Sequence, residues 1–264
     1  MALERKSNLE MTSVGEPALV LDGLSKRFGD TLAVDDLSMS VAAGAFFGLV
    51  GPNGAGKTTA LSMTVGLLAP DAGSARVLGV DVWSDPDRAK ALLGVLPDGL
   101  ALPQRLTGPE LLTYLGLLRE MPRAVVESRT EELLTVLDLH GARRTLVADY
   151  STGMRKKIAL AAALLHGPRV LVLDEPFEAV DPVSASTVRA ILDGFISSGG
   201  TVVMSSHVMA LVQELCVHVA VMAGGRLLAA GTVSEVRGGR SLEEAFGELV
   251  GAQEPGRGLS WFRS

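Results

Sequence analysis

Residues 51–59 read GPNGAGKTT, which places Gly51, Gly56, Lys57 and Thr58 in the spacing G-x-x-x-x-G-K-[ST]. This is the phosphate-loop pattern, and it constrains the chain more than any other stretch. Before it, AFFGLV (45–50) is a short apolar run that predicts a buried strand. After it, Leu61, Val65 and Leu68 recur at helical spacing. Strand, glycine loop and helix are the context the motif requires. Backbone N–H groups and a helix N-terminus must approach a polyphosphate closely, which excludes Cβ atoms at Gly51, Gly54 and Gly56. Lys57 supplies a point charge for the outer phosphates, and the Thr58 hydroxyl is placed to ligate magnesium. A glycine-rich turn with a chance lysine would not come with strand and helix both in register. The stretch predicts a nucleoside-triphosphate site.

Bulk properties narrow the class. The chain has 264 residues, enough for one substantial domain or a core with a subdomain. Its formal net charge is −6, against the basic excess of proteins that coat nucleic acid, so no nucleic-acid partner is expected. Cys216 is the single cysteine, which excludes an intrachain disulfide and reads as a small buried apolar residue. No apolar run approaches the ~18 residues of a membrane helix, and MALERKSNLE lacks the apolar centre of a signal peptide. Residues 1–17 and 251–264 are expected to be tails flanking a single domain over 18–250. Within the second tail, Trp261 and Phe262 would fold back on the chain's own surface or dock on a partner.

Along the chain, 18–28 and 32–41 predict strands with a turn at Gly29-Asp30, 70–79 a turn and a strand, and 91–97 (ALLGVLP) a further strand. From about 98 to 167 the pattern becomes helical. Thr107 and Glu110 form a capping box with Pro109 early in the helix, and Leu111, Leu115 and Leu118 share a face. A second helix covers 124–138 through Val126, Leu133, Leu134 and Leu137, and a third covers 153–165 through Met154, Ile158, Ala162 and Leu165. RVLVLDE (169–175) is the near-continuous apolar run of a strand covered on both sides. Asp181 and Pro182 then open a helix to about 197, followed by strand TVVMSS, helix VMALVQEL and a strand pair turning at Gly224-Gly225. Ser241 and Glu244 form a second capping box, with Leu242, Ala245, Phe246 and Leu249 facing inward. An α/β core interrupted by a helical insertion is the predicted architecture.

The second half carries further chemistry. Asp174 leaves the end of a buried strand, where it can hold magnesium through water, and Glu175 would point the other way, toward a water attacking a γ-phosphate. General-base help of this kind is worth ~10²–10⁴-fold. A solvated strand end is the alternative, and the apolar approach with Pro176 argues against it. In YSTGM (150–154), Ser151 and Gly153 can offer a hydroxyl and bare amides to a phosphate, or Ser151 can be an ordinary helix cap.

Taken together, phosphate loop, YSTGM, the strand ending in Asp174-Glu175, Asp181 and His207 occur in the order of the ATP-binding-cassette ATPases. The resemblance covers about 18–250 and is closest to the export-type branch with separately encoded permeases. It implies a P-loop NTPase (RecA-like) α/β core with an antiparallel β subdomain and an inserted α-helical subdomain at 98–167. It also implies ATP and Mg2+ as cofactors. A head-to-tail homodimer would sandwich each ATP between the phosphate loop (Gly51, Pro52, Asn53, Gly54, Ala55, Gly56, Lys57, Thr58, Thr59) of one copy and Ser151, Gly153 and Met154 of the other.

By the same match Glu175, His207 and Lys57 would be catalytic, and Thr58, Asp98 and Asp174 would hold the metal. Asp181 would lie near the dimer interface or cap its helix, as both readings allow together. Phe28 would stack on adenine, its alternative being a core aromatic ending a strand. The implied setting is the cytoplasmic, inner face of the cell membrane beneath a separate integral membrane permease, touched near 98–106. Three departures stand out: YSTGM where LSGGQ is usual, EAVD where a SALD-like form is common, and Asp98 where a glutamine is usual. A soluble cassette ATPase and a poorly hydrolysing regulatory subunit are the alternative functions.

Overall fold

The computed structural model describes residues 16–99 and 102–251. The expected tails, Trp261 and Phe262 included, lie outside these apart from Glu16, Pro17 and Gly251. Pro17 already belongs to a strand, so ordered pairing starts one residue before the expected domain edge.

Strands β1 (Pro17–Phe28), β2 (Thr31–Ala42), β4 (Ala72–Val77) and β5 (Val80–Asp81) form an antiparallel sheet in the order β2-β1-β4-β5. The second sheet holds β3 (Phe46–Val50), β6 (Leu93–Leu96), β7 (Val170–Leu173), β8 (Thr201–Ser206), β9 (His218–Ala223) and β10 (Arg226–Thr232), ordered β10-β9-β3-β8-β7-β6. From β9 to β6 it is parallel, and only β10 runs against its neighbour. Residues in β3, β7 and β8 are buried throughout, as the apolar runs predict for strands covered on both faces.

Alternation of side chains along a strand sorts this second sheet into two cores. Phe47, Leu49, Val172 and Val203 pack toward the antiparallel sheet with Leu19 and Leu24. Their neighbours Phe46, Val50, Leu171 and Met204 pack toward the other side with Leu111, Leu134 and Ile158. Part of that other side is the inserted helical region: α3 (Gly108–Leu118), α4 (Arg123–Val136), two 3-10 turns and α5 (Thr152–Leu164). α1 (Lys57–Thr64), α2 (Pro86–Leu92), α6 (Pro182–Ser197), α7 (Met209–Leu215), α8 (Val233–Arg237) and α9 (Leu242–Val250) complete the fold. Both anticipated capping boxes are formed, Thr107 with Glu110 and Ser241 with Glu244.

Several details differ from the sequence reading. The stretch 91–97 is not all strand: α2 runs through Leu92, started by Pro86, and only 93–96 pair. Leu118 is exposed because α3 ends there and the chain turns back, Met121 N donating to Gly116 O at 3.0 Å. Leu249 lines an open groove with Leu228 and Val236 rather than filling a core. α8 escapes the reading because five residues give no periodicity, although Thr232 and Glu235 cap it in the same way as the longer helices.

Where α5 ends, His166 is wedged against β6 with Nε2 2.9 Å from the carbonyl oxygen of Leu93. Burial, reinforced by the charge of Arg119, pushes its pKa down to about 4. The folded state therefore binds fewer protons than the unfolded chain between that value and the ordinary ~6.5. Stability contributed by neutral His166 is present above this window and lost as pH falls through it. The urea midpoint is expected to drop between pH 7 and pH 5, and to drop less in His166→Gln. Equal drops in the two proteins would remove His166 as the group responsible.

Candidate functional site

β3 delivers the chain to a loop whose tightest point is Gly56. This residue has φ 99° at the N-cap of α1, and a Cβ there would lie 2.3 Å from the carbonyl oxygen of Ala33. Both conformation and space exclude any other residue. Ala55 N closes a turn on Pro52 O at 3.1 Å, while Asn53 and Gly54 face outward. The turn between β9 and β10 braces the loop, Gly225 N donating to Ala55 O at 3.1 Å. α1 carries no acidic side chain in its first turn, which leaves the positive end of its dipole for an anion. Lys57 is buried, its Nζ donating to Gly51 O at 2.8 Å and Pro52 O at 3.3 Å. The Thr58 side chain is exposed at the helix start, with Thr59 half-buried beside it.

The carboxylates arrive from β7. Asp174 N donates to Leu96 O at 2.8 Å, and its buried side chain accepts a hydrogen bond from Ser205 Oγ. The same Ser205 Oγ accepts from Glu175 N at 2.9 Å. Glu175 itself has φ 47°, in the left-handed region, and its carboxylate takes partners of its own. Oε2 lies 3.1 Å from His207 Nδ1 and Oε1 lies 3.8 Å from Lys57 Nζ. Lys57, Glu175 and His207 therefore meet at the mouth of the phosphate loop, although 150 residues separate the first from the last. His207 is oriented from β8, where Val208 N donates to Ser206 Oγ at 3.0 Å.

A second group forms around the start of α5. Ser151 caps this helix by accepting from Met154 N at 3.2 Å. Tyr150 is anchored in the helical core, and burial pushes its phenol upward. A Cβ on Gly153 would sit 2.8 Å from Asp181 Oδ2 and 2.8 Å from Ser184 Oγ. Only glycine lets α5 approach α6 this closely. Asp181 caps α6, accepting from Val183 N at 3.1 Å and Ser184 N at 2.9 Å. The bonds from Ser184 hold its carboxyl below the usual carboxylate range. The cap readings of Ser151 and Asp181 are thus both realised.

Phe28 is half-exposed with Lys26 Nζ 5.9 Å from its ring centroid, so it does not end β1 as a core aromatic. Asp98 is exposed beyond β6, where its carboxylate accepts from Gly99 N at 2.8 Å. Cys216 is buried and its thiol is pushed up to about 12, which leaves it a small apolar residue.

No group of three or more His, Cys, Asp or Glu among the described residues forms a metal cage. Magnesium asks for less, binding through one or two protein oxygens plus waters and substrate phosphates. The Thr58 hydroxyl and the Asp174 carboxylate are hard oxygen donors that fit such a set. Sequence reasoning missed Ser205, which bridges Asp174 and Glu175, and, although it placed Gly225 correctly in a turn, missed that this residue braces the loop. Ser205-Ser206 ending an otherwise apolar buried strand was a signal for the first. Nothing local pointed to the second.

Comparison with known proteins gives the family. Residues 34–178 match the ABC transporter family model. The chain is 37% identical over 220 residues to the daunorubicin/doxorubicin resistance ATP-binding protein DrrA of Streptomyces peucetius, covering 83% of this chain and 67% of that protein. It is 36% identical to the Nod factor export ATP-binding protein I of Ralstonia nicotianae, with 83% and 68% covered. Against the bacitracin transport ATP-binding protein BcrA of Enterococcus faecalis the identity is 33%, with 84% and 71% covered. Among solved structures, an ATP-binding subunit of an ABC transporter superposes with a TM-score of 0.82 at 26% identity, over 88% of this chain and 99% of that one. Loop, carboxylate pair and family match converge: the chain belongs to the ABC transporter family, as an ATP-binding subunit with the P-loop ATPase fold.

Proposed function

We propose that this chain hydrolyses ATP as a head-to-tail homodimer beneath a separate integral membrane permease and drives export. The observation that carries the reading is the meeting of Lys57, Glu175 and His207 at the mouth of the phosphate loop. The backbone N–H groups of the phosphate loop (Pro52 has none) and the start of α1 bind the phosphates of ATP, and Lys57 adds its charge to the outer ones. Phe28 stacks on adenine from the end of β1. Glu175 accepts the proton of the attacking water, while His207 hydrogen-bonds the γ-phosphate and helps to orient that water. Thr58 and Asp174, with Asp98 as a further carboxylate, would hold magnesium, which would supply positive charge to the phosphate oxygens.

The homodimer follows from completeness. Loop, carboxylate, histidine, Ser151, Gly153 and Asp181 coexist in one chain, so two copies make two whole sites. The cytoplasmic face is the expected setting, since ATP is supplied there. Export is supported by the names of the relatives, which concern drug resistance, Nod factor export and bacitracin transport. The helical region at 98–167 transmits dimer closure to the permease.

A pull-down of tagged Glu175→Gln chain with ATP from detergent-solubilised membranes tests this assembly. One polytopic membrane protein, recovered with ATP and lost without it, is the expected result. Recovery of soluble proteins alone, with wild-type ATPase activity intact, would overturn the transporter assignment in favour of a soluble cassette ATPase.

A further inference from the structure

Left-handed backbone is uncommon for a residue with a side chain, and Glu175 is held in it at φ 47°. The peptide groups on both sides of this residue are pinned. Its N–H donates to Ser205 Oγ of β8 at 2.9 Å. Its carbonyl oxygen accepts from Lys156 Nζ at 2.8 Å and from Glu178 N at 3.2 Å. Lys156 is half-buried on the second turn of α5 and forms no ion pair among the described residues. Its ammonium is therefore committed to one backbone carbonyl, that of the residue whose carboxylate meets Lys57 and His207. Hydrogen bonds with an ionised donor are about twice as strong as neutral ones. A bond of that kind can set the conformation of a single strained residue.

The same helix carries Ser151 at its cap and Gly153 packed on Asp181 and Ser184. The first two turns of α5 thus grip the segment 175–184 at both ends. We propose that Lys156 is a positioning residue for ATP hydrolysis: its bond to the Glu175 carbonyl holds the left-handed turn that aims the carboxylate into the phosphate-loop mouth. Through that bond the start of α5 and the carboxylate of the same chain move as one unit. The proposal rests on the reading of Glu175 as the base, and the experiment separates the two.

Steady-state ATP hydrolysis and thermal midpoints would be measured on the full chain for wild type, Lys156→Met, Lys156→Arg and Glu175→Gln. Lys156→Met is expected to lower kcat about tenfold, equivalent to about 1.4 kcal/mol of barrier. Its KM for ATP should stay within about twofold, because the phosphate contacts are untouched. Lys156→Arg, which still donates from a cation, should recover most of the rate. A Lys156→Met kcat within about twofold of wild type, beside an inactive Glu175→Gln, overturns the proposal while leaving the base in place. So does a loss that raises KM with kcat unchanged, or one that Lys156→Arg fails to repair. Turnover persisting in Glu175→Gln would instead overturn the base assignment itself. If Lys156→Met does not fold, Lys156→Arg against Lys156→Gln carries the same comparison, with the arginine variant expected to be the faster by several-fold.

Discussion

Glu175→Gln is expected to lower ATP turnover by ~10²–10⁴-fold, the range of a lost general base, while nucleotide binding survives. Glutamine matches glutamate in volume and can keep a contact to His207, so the loop and the left-handed turn have no reason to rearrange. It cannot take a proton from water. Lys57 loses a carboxylate 3.8 Å away, which leaves its charge more fully available to phosphate. Binding without turnover should then accumulate the closed dimer. Light scattering with ATP and magnesium is expected to show the variant shifting from monomer to twice that mass, with wild type shifting only transiently. Turnover within tenfold of wild type would remove Glu175 from the base role and direct attention to His207.

Lys57→Met should fail in the opposite manner. Methionine follows the aliphatic path of lysine and fills the same space, so the thermal midpoint should change little. What disappears is a buried cation that donates to Gly51 O and Pro52 O and stands beside Glu175. A hydrogen bond to a charged group is worth about 1.5–3 kcal/mol. Replacing the lysine's contacts to the outer phosphates with none should therefore weaken ATP affinity by ~10²-fold or more. Glu175 is also left with His207 as its one remaining ion-pair partner among the described residues. Fluorescent-nucleotide titration beside thermal denaturation separates the cases. Affinity close to wild type would show that backbone amides alone carry the phosphates, whereas a collapsed midpoint would show that Lys57 is chiefly a strut of the loop. In kinetic terms one variant loses kcat and the other loses binding, which distinguishes the roles of two side chains that touch.

Much of the site was legible because its physics is local. A glycine at Gly56 with Lys57 after it, an acid ending an apolar strand at Asp174, and a Thr107-x-x-Glu110 cap each need only a few neighbouring residues to be recognised. The apolar run 45–50 likewise announced a buried strand, although only the structure divided Phe46 from Phe47 between two cores. Departures occurred where a neighbour distant in sequence decides the outcome. Leu118 and Leu249 have the right helical spacing, yet α3 ends without cover and α9 borders a groove. Periodicity says which residues share a face and is silent on whether that face is fully covered.

The sequence alone determined that this chain binds a nucleoside triphosphate in an α/β fold with a helical insertion, because close phosphate approach and strand burial impose residue types at short spacing. Tertiary structure alone decided what stands behind those motifs. Ser205 shared between Asp174 and Glu175, Gly225 under the loop, Gly153 against Asp181 and Lys156 on the Glu175 carbonyl all join residues at least 19 positions apart. Hydrogen bonds and close packing act over a few ångströms in space, and nothing in the local residue pattern encodes which distant segment the fold will bring there.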